Sequence, residues 1–205
     1  MFTIKDENVN FLELKSTNSK AIISLNEGER LQELQLNNQL LIKEITGFSY
    51  ENSYASSILF PFANRIENGK YTFKENEYEF ECNDGKNALH GLVYNKPFTV
   101  EKKIESLNYA AVTLIYQEKE ESLGFPFTYK VELIYTLYKD EISVSVKIEN
   151  TDTKPFPFTL GWHPYFFSED LENSSLNFKS DKKIEFDENL ITKKITDYKA
   201  DDKFT

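Results

Sequence analysis

A chain of 205 residues can bury a substantial core, and its 40% hydrophobic content, with seventeen Phe and twelve Tyr, supplies the material for one. The formal net charge of -10 argues against a nucleic-acid surface, which needs clustered Lys and Arg, and an anionic membrane is disfavoured. The lone Cys82 cannot close an internal disulfide, no stretch approaches eighteen apolar residues, and Met1-Phe2-Thr3-Ile4-Lys5-Asp6-Glu7 lacks the regions of a signal peptide, which together predict a cytoplasmic chain without a membrane span.

In chain order, the pattern predicts strand, turn, strand nearly throughout. The first runs are Asn10 to Leu14, Ala21 to Leu25, Leu31 to Leu36 and Gln39 to Ile45, with Asn37-Asn38 as a tight turn because Asn tolerates positive φ. The apolar run Ser56 to Phe62 leads into Ala63-Asn64-Arg65-Ile66. A hairpin spans Lys70 to Glu81, with Tyr71 and Phe73 facing Tyr78 and Phe80 across Lys74-Glu75-Asn76, and Asn83-Asp84-Gly85 is a turn. Another hairpin runs from Phe98 to Tyr116 around Glu105-Ser106-Leu107-Asn108. Then Val131, Leu133, Tyr135 and Leu137 alternate with polar residues, Lys139-Asp140 turns the chain, and Ile142, Val144, Val146 and Ile148 alternate again within Glu141 to Glu149. Period two means one buried face and one wet one. The acidic residues of 181 to 202 are interleaved with lysines and read as a solvated surface. With no capped helical stripe, no repeat and no linker, residues 1–205 read as one all-β domain, a sandwich or barrel.

The residues suited to chemistry are few. Arg65 ends an apolar run, where it either meets solvent or an acidic neighbour, or offers its five donors to a ligand. There are two histidines. His90 lies in Asn87-Ala88-Leu89-His90-Gly91, where Gly91 permits positive φ or a close backbone approach. His163 lies in Gly161-Trp162-His163-Pro164-Tyr165-Phe166, and Pro164 biases it toward extended backbone. Aromatic neighbours would disfavour its charged form by desolvation. Both also admit a bland reading as hydrogen-bonded structural histidines, and Trp162 reads equally as core or as a sugar-stacking face. Two isolated histidines give no zinc site, and the sequence has no phosphate loop and no nucleophile elbow. Cys82 lies in an acidic run that does not favour a thiolate.

The order Phe62-Ala63-Asn64-Arg65-Ile66, Leu89-His90-Gly91, Gly124-Phe125-Pro126, Gly161-Trp162-His163-Pro164-Tyr165-Phe166 resembles the aldose 1-epimerase (galactose mutarotase) family. That resemblance implies a large antiparallel β-sandwich that interconverts the α and β anomers of a hexose by acid/base ring opening. It implies His163 as the general acid, His90 as a catalytic residue that also contacts the sugar, Asn64 and Arg65 as sugar-binding, and neither metal nor organic cofactor. Leu92, where family members often carry a second glycine, resembles more divergent sugar and sugar-phosphate branches. A hexose-6-phosphate 1-epimerase and a catalytically inactive sugar-binding sandwich therefore stand beside the leading reading. The resemblance also implies a catalytic glutamate and further strands beyond Thr205, so the 205-residue form is expected to be catalytically weak.

Overall fold

The computed structural model describes residues 1–176 and 178–198, and within them almost every regular element is a strand. Five form one antiparallel sheet in sequential order: β1 (Thr3–Asn8), β2 (Phe11–Lys15), β3 (Lys20–Ser24), β4 (Leu31–Leu36) and β5 (Gln39–Ile42). Asn37 and Asn38, at φ of 51° and 64°, close the β4–β5 turn as their side chains allow. After one turn of helix, α1 (Tyr50–Ser53), the chain makes short ties: β6 (Ile58–Leu59), β7 (Arg65–Ile66), the hairpin of β8 (Lys70–Phe73) and β9 (Asn76–Glu79), and β10 (Ala88–Leu89). The second main sheet is a four-stranded antiparallel meander: β11 (Thr99–Glu105), β12 (Ala110–Glu118), β13 (Tyr129–Leu137) and β14 (Ile142–Asn150). The remaining strands are β15 (Gly161–Trp162) and the hairpin of β16 (Lys182–Phe186) and β17 (Thr192–Asp197).

The two main sheets share one core, as an antiparallel β-sandwich requires. Leu12, Leu14, Ala21, Ile23, Leu31 and Leu34 of the first sheet and Ala110, Val112, Leu114, Val131, Leu133, Tyr135 and Leu137 of the second belong to one buried cluster. Along β13 the residues at 129, 131, 133, 135 and 137 are all buried while those between are half-exposed, which is the predicted alternation. The first sheet is tied to the second where the Phe2 amide donates to the Ser106 carbonyl at 3.1 Å. At one end of the core Phe60, Phe125, Tyr129 and Phe156 pack ring against ring, with Phe125 edge-on to Phe156 at 5.0 Å.

The structure corrects several boundaries. The run Ser56 to Phe62 is not a strand throughout: regular strand is confined to Ile58–Leu59, Ser56 takes φ of 62°, and Phe60 makes only an isolated bridge to Gly91. The Lys70 hairpin turns on two residues, Lys74 and Glu75, both at positive φ. Tyr71 therefore faces Tyr78 as expected, but Phe73 faces Asn76, not Phe80. β5 ends at Ile42, short of the expected Ile45. The short α1, β10 and β15 escape the sequence reading, and so do β1 and the β16–β17 hairpin. β1 is a mostly exposed strand of polar residues, and the stretch read as solvated surface folds into the β16–β17 hairpin. Its charges do lie outward, paired as Lys182–Asp197, Lys193–Asp187 and Lys194–Glu185. Residues 199–202 of that stretch lie outside the described residues.

Candidate active site

The short ties bring distant residues to one corner of the sandwich. β15 pairs with β6 in the register Gly161↔Leu59 and Trp162↔Ile58. The ladder continues one residue on: the His163 amide donates to the Ser57 carbonyl at 3.0 Å, and the Ser56 amide to the His163 carbonyl at 2.8 Å. β10 pairs with β7, setting Leu89 opposite Arg65, and the His90 amide donates to the Asn64 carbonyl at 3.0 Å. Gly91 then passes so close to Phe60 that a Cβ would lie 2.3 Å from its carbonyl oxygen, at φ of +78°. Gly91 is thus required by the close approach to the chain's own backbone at Phe60.

The outcome is two imidazoles with ring centroids 5.0 Å apart, from positions 90 and 163. Tyr165 stands edge-on to His163 at 5.2 Å and Tyr54 edge-on to His90 at 4.9 Å. Nδ1 of His163 lies 3.3 Å from the Tyr54 carbonyl, which can only accept. Nδ1 therefore carries the hydrogen, and Nε2 is the nitrogen left for a substrate. Nδ1 of His90 is buried with no protein partner. Burial, then the nearby His163 and Arg65, push the His90 pKa down to about 4, against a smaller opposing pull from Asp84. Burial lowers that of His163 too, with the Tyr54 carbonyl acting in the opposite direction. Both rings are neutral at neutral pH.

Arg65 reaches the same corner. Its Nε donates to Asp84 Oδ2 at 2.6 Å and its Nη1 to Asn64 Oδ1 at 3.3 Å. The acidic neighbour foreseen as the bland alternative is thus present, and it aims the guanidinium rather than removing it from the site. Asn64, at φ of 62°, donates from Nδ2 to the Leu190 carbonyl at 3.1 Å, so the turn of the β16–β17 hairpin leans on this corner. Both ends of the Asn64 amide therefore have protein partners. Trp162 is half-buried against the core, and its Nε1 donates to the Ser56 carbonyl at 3.2 Å.

Sequence reasoning missed Tyr54 and Asn83. Asn83 accepts from the Leu89 amide at 2.7 Å and returns a bond from Nδ2 to the Leu89 carbonyl at 3.1 Å, fixing the residue before His90. The Asn83-Asp84-Gly85 motif was legible as a turn, but its second duty was not. Tyr54, Ser56, Asn64 and His90 are all non-glycine residues at φ between 51° and 64°. Backbone strain gathered like this marks functional sites, since it persists only where the surroundings enforce it. No cluster of three His, Cys, Asp or Glu able to hold a metal occurs among the described residues. Cys82, exposed, donates from Sγ to the Lys86 carbonyl at 3.1 Å. No helix among them is long and apolar enough to cross a membrane.

The all-β antiparallel sandwich is the fold of galactose mutarotase-like proteins. The aldose 1-epimerase pattern matches residues 11–205, and the chain belongs to that family. The galactose mutarotase of Bos taurus is 28% identical over 155 residues, a stretch covering 72% of this chain and 44% of that protein. Among solved structures, a galactose mutarotase-like protein from Clostridium acetobutylicum superposes with a TM-score of 0.79 at 21% identity, over 93% of this chain and 63% of that one. A putative aldose 1-epimerase from Escherichia coli K12 superposes with a TM-score of 0.70 at 18% identity, over 98% of this chain and 64% of that one. The chain thus spans less than two thirds of these relatives' length.

Proposed function

We propose that this corner binds a hexose and serves the interconversion of its α and β anomers. The observation that carries the reading is the meeting of His90 and His163 at 5.0 Å beside Arg65, in a chain with only two histidines. In ring opening a base takes the proton from the C1 hydroxyl, an acid protonates the ring oxygen, and the C1–O5 bond breaks. The free aldehyde rotates and recloses on its other face. His163 is the acid in its imidazolium form: Nδ1 stays engaged by the Tyr54 carbonyl, and Nε2 first takes a proton from solvent and then gives it to the ring oxygen. Desolvation makes its imidazolium a strong donor, and a positioned acid or base contributes roughly 10²–10⁴-fold. Arg65 and His90 hold the sugar through N–H donors, with Asn64 setting the corner.

A free hexose suits the site better than a hexose 6-phosphate. Arg65 already spends its Nε on a carboxylate, and the lysines of the neighbouring hairpin are paired with acids. A second reading, a sugar-binding sandwich without catalysis, follows from the state of the carboxylates. Asp84, whose charge acts on His90, is held by Arg65, and Glu185 is held by Lys194 at 3.2 Å and by Thr196 at 3.0 Å. Neither stands free as a base, so the 205-residue chain is expected to bind sugar while turning it over weakly. Polarimetry on freshly dissolved α-glucose and α-galactose tests this, with calorimetric titration beside it. Faster mutarotation that His163→Asn abolishes supports the enzyme. Binding without acceleration supports the binding module, and neither binding nor acceleration ends both.

A further inference from the structure

We propose that Tyr54 is the positioning residue of this site, holding His163 in one tautomer with its carbonyl and holding His90 in place with its ring and hydroxyl. This rests on the reading that His163 and His90 are the working imidazoles. Among the described residues Tyr54 touches both of them: its carbonyl lies 3.3 Å from His163 Nδ1, and its ring stands edge-on to His90 at 4.9 Å. Its hydroxyl accepts from Asn83 Nδ2 at 3.2 Å, and Asn83 is the residue that grips Leu89 on both sides. One residue therefore joins the strand bearing His163 to the loop bearing His90.

The carbonyl points where it does because Tyr54 caps α1 in the left-handed region, at φ 51° and ψ 28°, with its amide bonded to the Tyr50 carbonyl. An aromatic residue resists that conformation because its Cβ crowds the backbone at positive φ. It is held there by burial, since Tyr54 is 8% exposed, and by an edge contact with Tyr94 at 4.9 Å. The Tyr94 carbonyl in turn accepts from the Tyr50 hydroxyl at 2.7 Å. The strain thus has a use. A tyrosine in ordinary helical geometry would turn its carbonyl away, and His163 would lose the acceptor that keeps hydrogen on Nδ1. Among the described residues the groups facing His163 are the Tyr54 carbonyl, the neutral His90 and Tyr165, and no carboxylate is among them.

The test is nitrogen-15 spectroscopy of the two imidazoles in the 205-residue chain, without sugar. His163 is expected as a single neutral tautomer, protonated at Nδ1 and bare at Nε2. Tyr54→Phe keeps ring and backbone and is expected to leave that tautomer unchanged while loosening only His90. Tyr54→Val, β-branched and unable to hold positive φ, is expected to mix or invert the His163 tautomer. Loss of the carbonyl also removes a proton-stabilising contact, so the His163 titration moves to lower pH. Where the chain turns over sugar, the alkaline limb of its pH profile, on which the His163 imidazolium is lost, moves the same way, with a loss of rate of about 10²-fold. A wild-type His163 protonated at Nε2, or a folded Tyr54→Val with unaltered tautomer and titration, overturns the proposal. The wild-type spectrum decides even if Tyr54→Val does not fold. It is also independent of polarimetry: an Nδ1-protonated His163 in a chain without mutarotation would defeat the enzymatic reading and leave the positioning intact.

Discussion

Glu29 offers the sharpest test of the electrostatics behind the site. It is fully buried in the loop between β3 and β4, where Oε1 accepts from the Phe98 amide at 2.9 Å and Oε2 has no partner. Its carbonyl accepts from the buried Tyr135 hydroxyl at 2.9 Å, so the loop is sewn to the second sheet. Burial pushes the carboxyl pKa from 4.5 up to about 8, against the smaller effect of the Phe98 amide. A raised folded pKa means that the native state binds the proton more tightly. The stabilisation is complete below pH 4.5 and lost as pH rises toward 8. At about 1.4 kcal/mol per pH unit, the loss across that window is roughly 4–5 kcal/mol. His90 works in the opposite sense, because its folded pKa of about 4 lies below the ordinary 6.5. Its stabilisation is complete above 6.5 and lost as pH falls toward 4. The two trends oppose each other between pH 4.5 and 6.5, and Glu29 acts alone above that. Glu29→Gln keeps the acceptor for Phe98 and cannot ionise. Melting temperatures of the two forms are expected to agree near pH 5 and to diverge steadily as pH rises above it, the Gln variant being the more stable, since His90 is common to both forms. For a chain this long about 1 kcal/mol corresponds to roughly 2–4 °C, so the gap at pH 8 is expected near 10 °C. Parallel curves from pH 5 to 8 would show that Glu29 is ionised at no energetic cost, and the argument would fail.

Other perturbations bear on the site directly. Gly91→Ala places a Cβ 2.3 Å from the Phe60 carbonyl at unfavourable φ, so a loss of more than about 2 kcal/mol is expected in a denaturant melt, with displaced His90 resonances. Asp84→Asn removes the charge that raises the His90 pKa and is expected to lower it further, whereas Arg65→Met removes a charge that lowers it and is expected to raise it. Imidazole titration by NMR reads both signs, and shifts in the same direction would contradict the geometry. Leu133→Ala, at the centre of the shared core, is expected to cost about 2–5 kcal/mol without altering either titration.

The β-sandwich was legible where alternation was clean. In β13 the buried residues are Tyr129, Val131, Leu133, Tyr135 and Leu137, and nothing in the intervening positions blurs the period. β1 was missed because Thr3-Ile4-Lys5-Asp6-Glu7-Asn8 is mostly polar and holds its place by backbone pairing with β2. The β16–β17 hairpin was missed because lysines and acids dominate a stretch whose Ile184 and Ile195 face each other across the pair yet remain exposed. Hydrophobic pattern reports burial, and these strands bury little. Turns built on Asn, as at Asn37-Asn38, declare themselves, but Lys74-Glu75 adopts the same positive φ with no side chain that signals it.

At the site, what could be read was side-chain chemistry, and what could not was backbone. His90, His163 and Arg65 were candidates because their types are scarce and reactive, and the fold brings them to one corner. Their positions are fixed largely by main-chain atoms: the Asn64 carbonyl under the His90 amide, the Phe60 carbonyl against Gly91, the Ser57 carbonyl under the His163 amide, and the Tyr54 carbonyl on the His163 ring. A carbonyl is common to every residue, so no letter marks which one will serve. The only local sign is conformational strain, and a sequence shows strain only when glycine or asparagine relieves it. Asn64 and Gly91 did so. Tyr54 conceals it, because a large aromatic ring, buried against Tyr94 and His90, forces a backbone conformation its own Cβ opposes. The residue least suited to its φ is therefore the one through which the packed ring, the bonded carbonyl and the two imidazoles are coupled.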